Sequence, residues 1–156
     1  MACALLLPAL ALAVLRRTLL AVNVQGGSME PTYRDGDRVL VRRSRTTAPN
    51  QVVVLEGPEP DGHWHRPPLR CGTGAGDRRW IIKRVAAVPG DPVPAFLGEL
   101  AGRRVPPGKL VLLGDNPDAS VDSRHFGYFP AERLLGAALR PLPARQTTKR
   151  NQGEHP

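Results

Sequence analysis

The chain has 156 residues, with 17 Pro, 16 Gly and 4% aromatics. That length holds one modest domain with a real core, and the Pro and Gly load suits short strands joined by turns better than a helical bundle. The net charge of +8 sits mostly at the ends: residues 1–22 carry two Arg and no acid, residues 140–156 four bases and one acid, and the 117 residues between them 16 bases and 13 acids. A nucleic-acid face is therefore not required, and anionic lipid near the ends is the natural partner of the excess.

Residues 3–15, CALLLPALALAVL, carry no charge, and Arg16 and Arg17 come next. Thirteen residues fall short of the roughly 20 that span a bilayer. The segment reads as a short membrane anchor or as a span whose start lies upstream. A cleaved secretory signal fits less well, because no basic region precedes the run and no small-x-small site comes after it. Residues 1–22 are assigned to a hydrophobic membrane helix on this basis. By the positive-inside rule, Arg16 and Arg17 hold the downstream chain in the cytoplasm. Cys3 in this segment and Cys71 in a Gly-rich stretch make no disulfide framework.

Strand-like runs then alternate with turn signals. Residues 19–24 lead into a serine, RVLVRR at 38–43 alternates as a half-buried strand does, and 52–55 is a short buried run. Residues 56–79, rich in Gly, Pro and Arg, read as a long surface loop. Residues 80–88 form a strand ended by the turn PGD, and the apolar run 110–113 ends at Gly114. Residues 130–135 look like one helical turn, and 137–139 like a last strand. The expectation is a mainly β, antiparallel domain over 23–142, with a disordered basic tail at 143–156.

Ser28 stands in GGSMEPT, which alone is ordinary turn chemistry. Lys83 changes the weighing. It lies in WIIKRVAAV, where alternation puts it on one face with Val85 and Ala87. An isolated lysine there snorkels from an edge strand. A desolvated one has a lowered pKa and supplies a neutral amine, as a Ser–Lys pair requires. The stretch GDNPDASVDSRHFGYFP adds Asp115, Asp118, Ser120, Asp122, Ser123 and Arg124, either a polar loop or the support of a catalytic lysine. His63, His65 and Cys71 do not fill a zinc site, so no metal is expected. Cys71 to Gly76 lacks the strand and helix that flank a phosphate loop, and His125 reads as a surface residue.

Together GGSMEPT, DGDRVLV, IIKRVAAVPGD and VPPGKLVLLGDNPDASVDSRHFGYFP resemble, in order and spacing, the motifs of the type I signal peptidases, with blocks covering residues 24–130. The likeness is to small members of the Gram-positive or actinobacterial type. The resemblance implies a membrane-anchored serine endopeptidase without cofactor, cutting signal or leader peptides after small residues. It implies Ser28 as nucleophile, Lys83 as general base, Ser120 as the hydroxyl that orients the lysine, and Asp122–Arg124 as a structural ion pair. Met29 lines the site, and Gly27 and Pro31 lie in the substrate and oxyanion vicinity, Gly27 turning Ser28 toward substrate. Gly26 stands where some members carry a serine in the oxyanion hole, leaving that task to backbone N–H groups. Tyr33, Pro117 and Ala119 depart from the usual leucine, arginine and asparagine. The implied partners are precursor proteins and membrane lipid, not nucleic acid. The implied place is the cell membrane, single-pass, with the catalytic domain outside, against the charge of Arg16 and Arg17. A dedicated maturation protease for one precursor fits equally. A self-cleaving repressor needs a DNA-binding domain ahead of Ser28, and a dead binding module does not need Ser28, Lys83 and Ser120 intact.

Overall fold

The computed structural model of the chain describes residues 18–69 and 78–142. The apolar run before Thr18, Cys71 and the tail from residue 143 lie outside the described residues. Among the described residues no helix is long and apolar enough to cross a membrane.

Seven strands, β1 (Leu19–Asn23), β2 (Arg38–Arg43), β3 (Val52–Glu56), β4 (Trp80–Ala87), β5 (Lys109–Leu113), β6 (Phe129–Pro130) and β7 (Leu134–Leu142), form one sheet. Its order is β1-β2-β7-β3-β4-β5-β6, and every pair is antiparallel. β1 takes in residues 19–22, which the sequence reading assigned to the hydrophobic segment.

β3 is buried along its whole length because it is the sheet's middle strand, with both faces covered. Val52 and Val54 enter one cluster with Met29, Val39, Val41 and Ile82. Val53 and Leu55 enter a second with Val85, Leu112 and Phe129. A short run of β-branched residues is the expected signature of such a strand. A third cluster, built on Val93, Leu97, Val105 and Val111, packs the 92–105 connection against β5.

Two elements differ from the sequence reading. The helical turn at 130–135 is a three-residue 3-10 helix at Ala131–Arg133, after which Leu134 and Leu135 already belong to β7. β7 is nine residues long and sits between β2 and β3, where the sequence suggested a short last strand. Its Gly and Ala residues weaken the local strand signal; its neighbours on both sides supply the pairing. A four-residue helix, α1 (Ser123–Phe126), interrupts the polar loop after β5. It is capped by Asp122, whose side chain accepts the Arg124 N–H.

The connection after β3 is exposed over most of residues 60–68 and is fastened to the sheet at several points. Glu56 is buried and pairs with Arg78 at 2.6 Å and Arg133 at 2.9 Å. Trp64 packs edge-on against Phe129 with ring centroids 6.1 Å apart. The arginines that made the segment look solvated are its fastenings.

Candidate active site

The turn between β1 and β2 shapes the surroundings of Ser28. Gly26 has φ of 76°, a left-handed value that side chains disfavour, and its N–H donates to Asp35 Oδ1 at 2.8 Å. Glu30 N–H returns to Gly27 O at 3.2 Å and Tyr33 N–H to Met29 O at 2.9 Å. These bonds leave the backbone N–H of Ser28 without an acceptor among the described residues. Met29 is fully buried beneath the turn, and the Glu30–Pro31 peptide is cis. The conformational demand thus falls on Gly26 rather than Gly27, where a Cβ would make only ordinary contacts with Glu30 at 3.6 Å.

Lys83 comes to Ser28 from β4. It is 4% exposed, and its Nζ donates to Ser28 Oγ at 2.7 Å across 55 residues of sequence. Burial is the largest influence on the amine. It outweighs the attraction of Asp122 and, with the cations of Arg124 and Arg79, brings the pKa from 10.5 down to about 8.

Gly114 joins the third segment to this pair. Its N–H donates to Asp122 Oδ2 at 2.7 Å. A Cβ there would stand 2.2 Å from Ser120 Oγ and 2.6 Å from the carbonyl oxygen of Ser28. Only a glycine lets the loop pass between them. Two residues on, Asn116 N–H donates to Ser28 O at 3.1 Å.

The site thus comprises a serine, a dry lysine and a supporting loop carried on three motifs in a fixed order. A protein-family model described as "Signal peptidase, peptidase S26" matches residues 1–100 and 95–142. The chain belongs to the S26 signal peptidase family. It is 31% identical over 160 residues to a probable signal peptidase I-1 of Synechocystis sp., covering 86% of this chain and 78% of the relative. To signal peptidase I V of Bacillus subtilis it is 27% identical over 165 residues, covering 81% and 88%. The mitochondrial ATP-independent inner membrane protease subunit 1a of Arabidopsis thaliana is 31% identical over 134 residues, covering 80% and 70%.

In this S26 chain Asp122 is fully buried and accepts from five donors at once. Arg124 donates to it through Nε at 3.0 Å, Nη2 at 2.6 Å and its backbone N–H at 3.1 Å, and Ser120 Oγ and the Gly114 N–H donate at 2.7 Å each. Burial alone pushes the carboxyl up, but these donors prevail and bring it to about 2. Ser120 therefore spends its proton on Asp122, and no hydrogen bond joins it to Lys83 among the described residues.

A second network was not legible in sequence. Arg84 leaves β4 on the face opposite Lys83 and grips Asp115 through Nε at 2.8 Å and Nη2 at 2.6 Å. The same carboxylate accepts the Thr32 hydroxyl, and Arg84 Nη1 donates to Asn50 O at 2.8 Å. The turn after Ser28, β4 and the loop after β5 are thereby tied together. Each partner is unremarkable in its own stretch; only the folded sheet brings them together.

Beside the dyad lies a cavity of about 60 Å³, lined by residues 22–25 on one side and 80–83 on the other, with Val39, Val54 and Ser28. β3 pairs with all of residues 80–84, whereas β5 joins β4 only from Arg84 onward. The β5-side edge of residues 80–83 is thus open among the described strands. His63, His65 and His125 are remote in role. His65 Nε2 contacts Asp61 at 2.6 Å, and His125 closes the cap of α1. Among the described residues no group of three or more His, Cys, Asp or Glu could hold a metal ion.

Proposed function

We propose that this S26 peptidase cleaves signal or leader peptides from exported precursors by a Ser28–Lys83 dyad. The observation that carries the reading is a buried lysine amine 2.7 Å from a serine hydroxyl, with its pKa near the working range of a general base. With the amine neutral, the Ser28 hydroxyl donates to Nζ and Oγ attacks the scissile carbonyl as its proton passes to Lys83. The unpaired Ser28 N–H then faces the developing oxyanion. Lys83 hands its proton to the departing amine, and the resulting acyl-enzyme is hydrolysed by a water that Lys83 deprotonates. Ser120, Asp122 and Arg124 keep the loop and its charge beside the lysine.

An extended leader fits as an added strand along the open edge of residues 80–83, with main-chain hydrogen bonds giving affinity. The 60 Å³ cavity at its side takes a small side chain. The precursor is the partner, and the apolar segment ahead of β1 holds the enzyme at the cell membrane in a single pass, with the catalytic domain extracytoplasmic. In detergent, the full chain is expected to cut a peptide carrying an Ala-x-Ala site, and Ser28→Ala or Lys83→Ala to abolish the cut. Cleavage that survives in either variant would remove the dyad from the mechanism.

A further inference from the structure

A second cavity, of about 230 Å³, opens where the chain leaves β4, and no residue that lines it also lines the cleft beside Ser28. Val88 in its wall lies five residues past Lys83, roughly 16 Å along the chain at about 3.3 Å per residue. The walls are apolar. Leu110 of β5 and Leu134 of β7 are members of the second core cluster, and Val88 and Ala131 pack against that cluster. The rim is polar and basic, because the connection between β2 and β3 supplies Arg45, Thr46 and Thr47 to it. That connection is well tied. Ser44 Oγ donates to Thr46 O at 2.7 Å, Thr47 Oγ1 to Gln51 Oε1 at 2.9 Å, and the Val85 N–H to Gln51 O at 2.9 Å. Arg45 Nη2 donates to Leu69 O at 2.7 Å, which holds the guanidinium at the mouth. Its other N–H groups have no partner among the described residues, and no ion pair joins it to an acid there. No acid lines the cavity. Of the acids next to its walls in sequence, Asp91 accepts the Val88 N–H at 3.1 Å and Glu132 is exposed.

An apolar recess with an unpaired guanidinium at its mouth is the complement of an apolar chain that ends in a negative charge. The fork of a guanidinium matches a carboxylate, and a lone cation offsets one charge better than the two of a phosphate. The volume sets the length. About 230 Å³ holds roughly eight groups of water size at about 30 Å³ each, enough for a single chain of roughly eight carbons and too little for a two-chain lipid.

We propose that this cavity binds a short unbranched fatty carboxylate, with its chain between Leu110 and Leu134 and its head on Arg45. The site stands apart from the peptidase reading. It takes the same ligand whether or not Ser28 and Lys83 cut a peptide.

The test uses the full chain in digitonin, a detergent with no alkyl chain to compete. The chain carries Cys3→Ser and Cys71→Ser, with Ala131→Cys as a probe in the half-buried wall or Glu99→Cys as an exposed control outside the cavity. Octanoate is expected to protect the Ala131→Cys probe from a maleimide and to leave the Glu99→Cys probe as reactive as before. The half-protecting concentration is expected to fall roughly fourfold per methylene from butanoate to octanoate, and no further at decanoate. Octanol, the same chain without the charge, is expected to need on the order of tenfold more, and so is octanoate on Arg45→Gln. The octanol comparison uses the parent side chains at the rim, so it stands whether or not Arg45→Gln folds. A failure of octanoate to protect the Ala131→Cys probe overturns the site. Octanol as effective as octanoate, or protection unchanged in a folded Arg45→Gln protein, overturns the carboxylate head. Protection that keeps strengthening at decanoate places the chain outside the cavity and overturns the proposal as well.

Discussion

In the proposed dyad Ser28 owes its reactivity to a lysine that the sheet keeps dry, and the consequence is a defined pH dependence. Below about pH 8 the amine of Lys83 is an ammonium and has no lone pair for the serine proton. The rate, as kcat/KM on a peptide, is therefore expected to climb through that pH and level off above it. Initial rates from about pH 6 to about pH 10 check this, and a flat profile would contradict a lysine base. Gly114 carries a second expectation at this scale. A methyl group there collides with the Ser28 carbonyl and the buried Ser120 hydroxyl at once, and neither is the loose end of a flexible side chain. Gly114→Ala should separate the nucleophile turn from the Asp122 loop. A misplacement of that kind costs on the order of 10²-fold in kcat, with KM much less affected. Near-normal kcat in a folded Gly114→Ala protein would show that the loop yields without disturbing Ser28.

Among the elements, β4 does most to build the site, and it was the most legible. A lysine among largely apolar neighbours marked Lys83, and the alternation of RVLVRR placed β2, because both signals are local. β7 was only glimpsed, since a Gly–Ala-rich strand declares itself through its neighbours rather than through its own sequence. Arg84 and Thr32 escaped notice, and Asp115 was noticed without its partners, because the three are separated in sequence and joined only in the fold. In the 56–79 connection the exposed residues 60–68 fit a surface loop, and what sequence could not show is the fastening of Arg78 to Glu56. The burial of Glu56 allows a direct test. Glu56→Gln leaves Arg133, 7% exposed in its side chain, without a counter-charge, and is expected to cost about 3–5 kcal/mol in urea unfolding. Adding Arg133→Met should recover most of that loss, because the stranded charge is the main cost. A single variant as stable as the parent would make the ion pair dispensable. Trp80 pairs with Glu56 across β3 and β4 and lines the cavity, so the single variant should also raise KM for the leader peptide.

For the whole molecule, the groups that make the site also set how stability varies with pH, and they act with opposite sign. Asp122 titrates at about 2 in the folded chain against 3.8 when unfolded, so its contribution, roughly 2 kcal/mol, is present above about pH 4 and lost as pH falls toward 2. Asp115, lowered chiefly by its hydrogen bonds from Arg84, adds to the same acid limb. Lys83 titrates at about 8 folded against 10.5 unfolded. Between those values the unfolded chain binds more protons, so stability rises with pH there, and below about 8 the burial of the ammonium costs roughly 3 kcal/mol. Tyr33, pushed up mainly by burial, reverses the trend above about pH 10, where only the unfolded phenol ionises. The proposed base is thus a standing cost to the fold at neutral pH. Lys83→Met should abolish cleavage and yet raise stability at pH 7 by roughly 1–3 kcal/mol, after about 1 kcal/mol is taken off for the lost hydrogen bond to Ser28. The gain should shrink steadily between about pH 8 and about pH 10, while Asp122→Asn should shrink the acid limb and, by removing a carboxylate that holds the Lys83 pKa up, deepen the alkaline one. Urea unfolding of the three proteins from about pH 2 to about pH 10 measures both limbs. A Lys83→Met variant no more stable than the parent at pH 7 would mean that Lys83 is solvated and titrates normally, and the general-base assignment would fall with it.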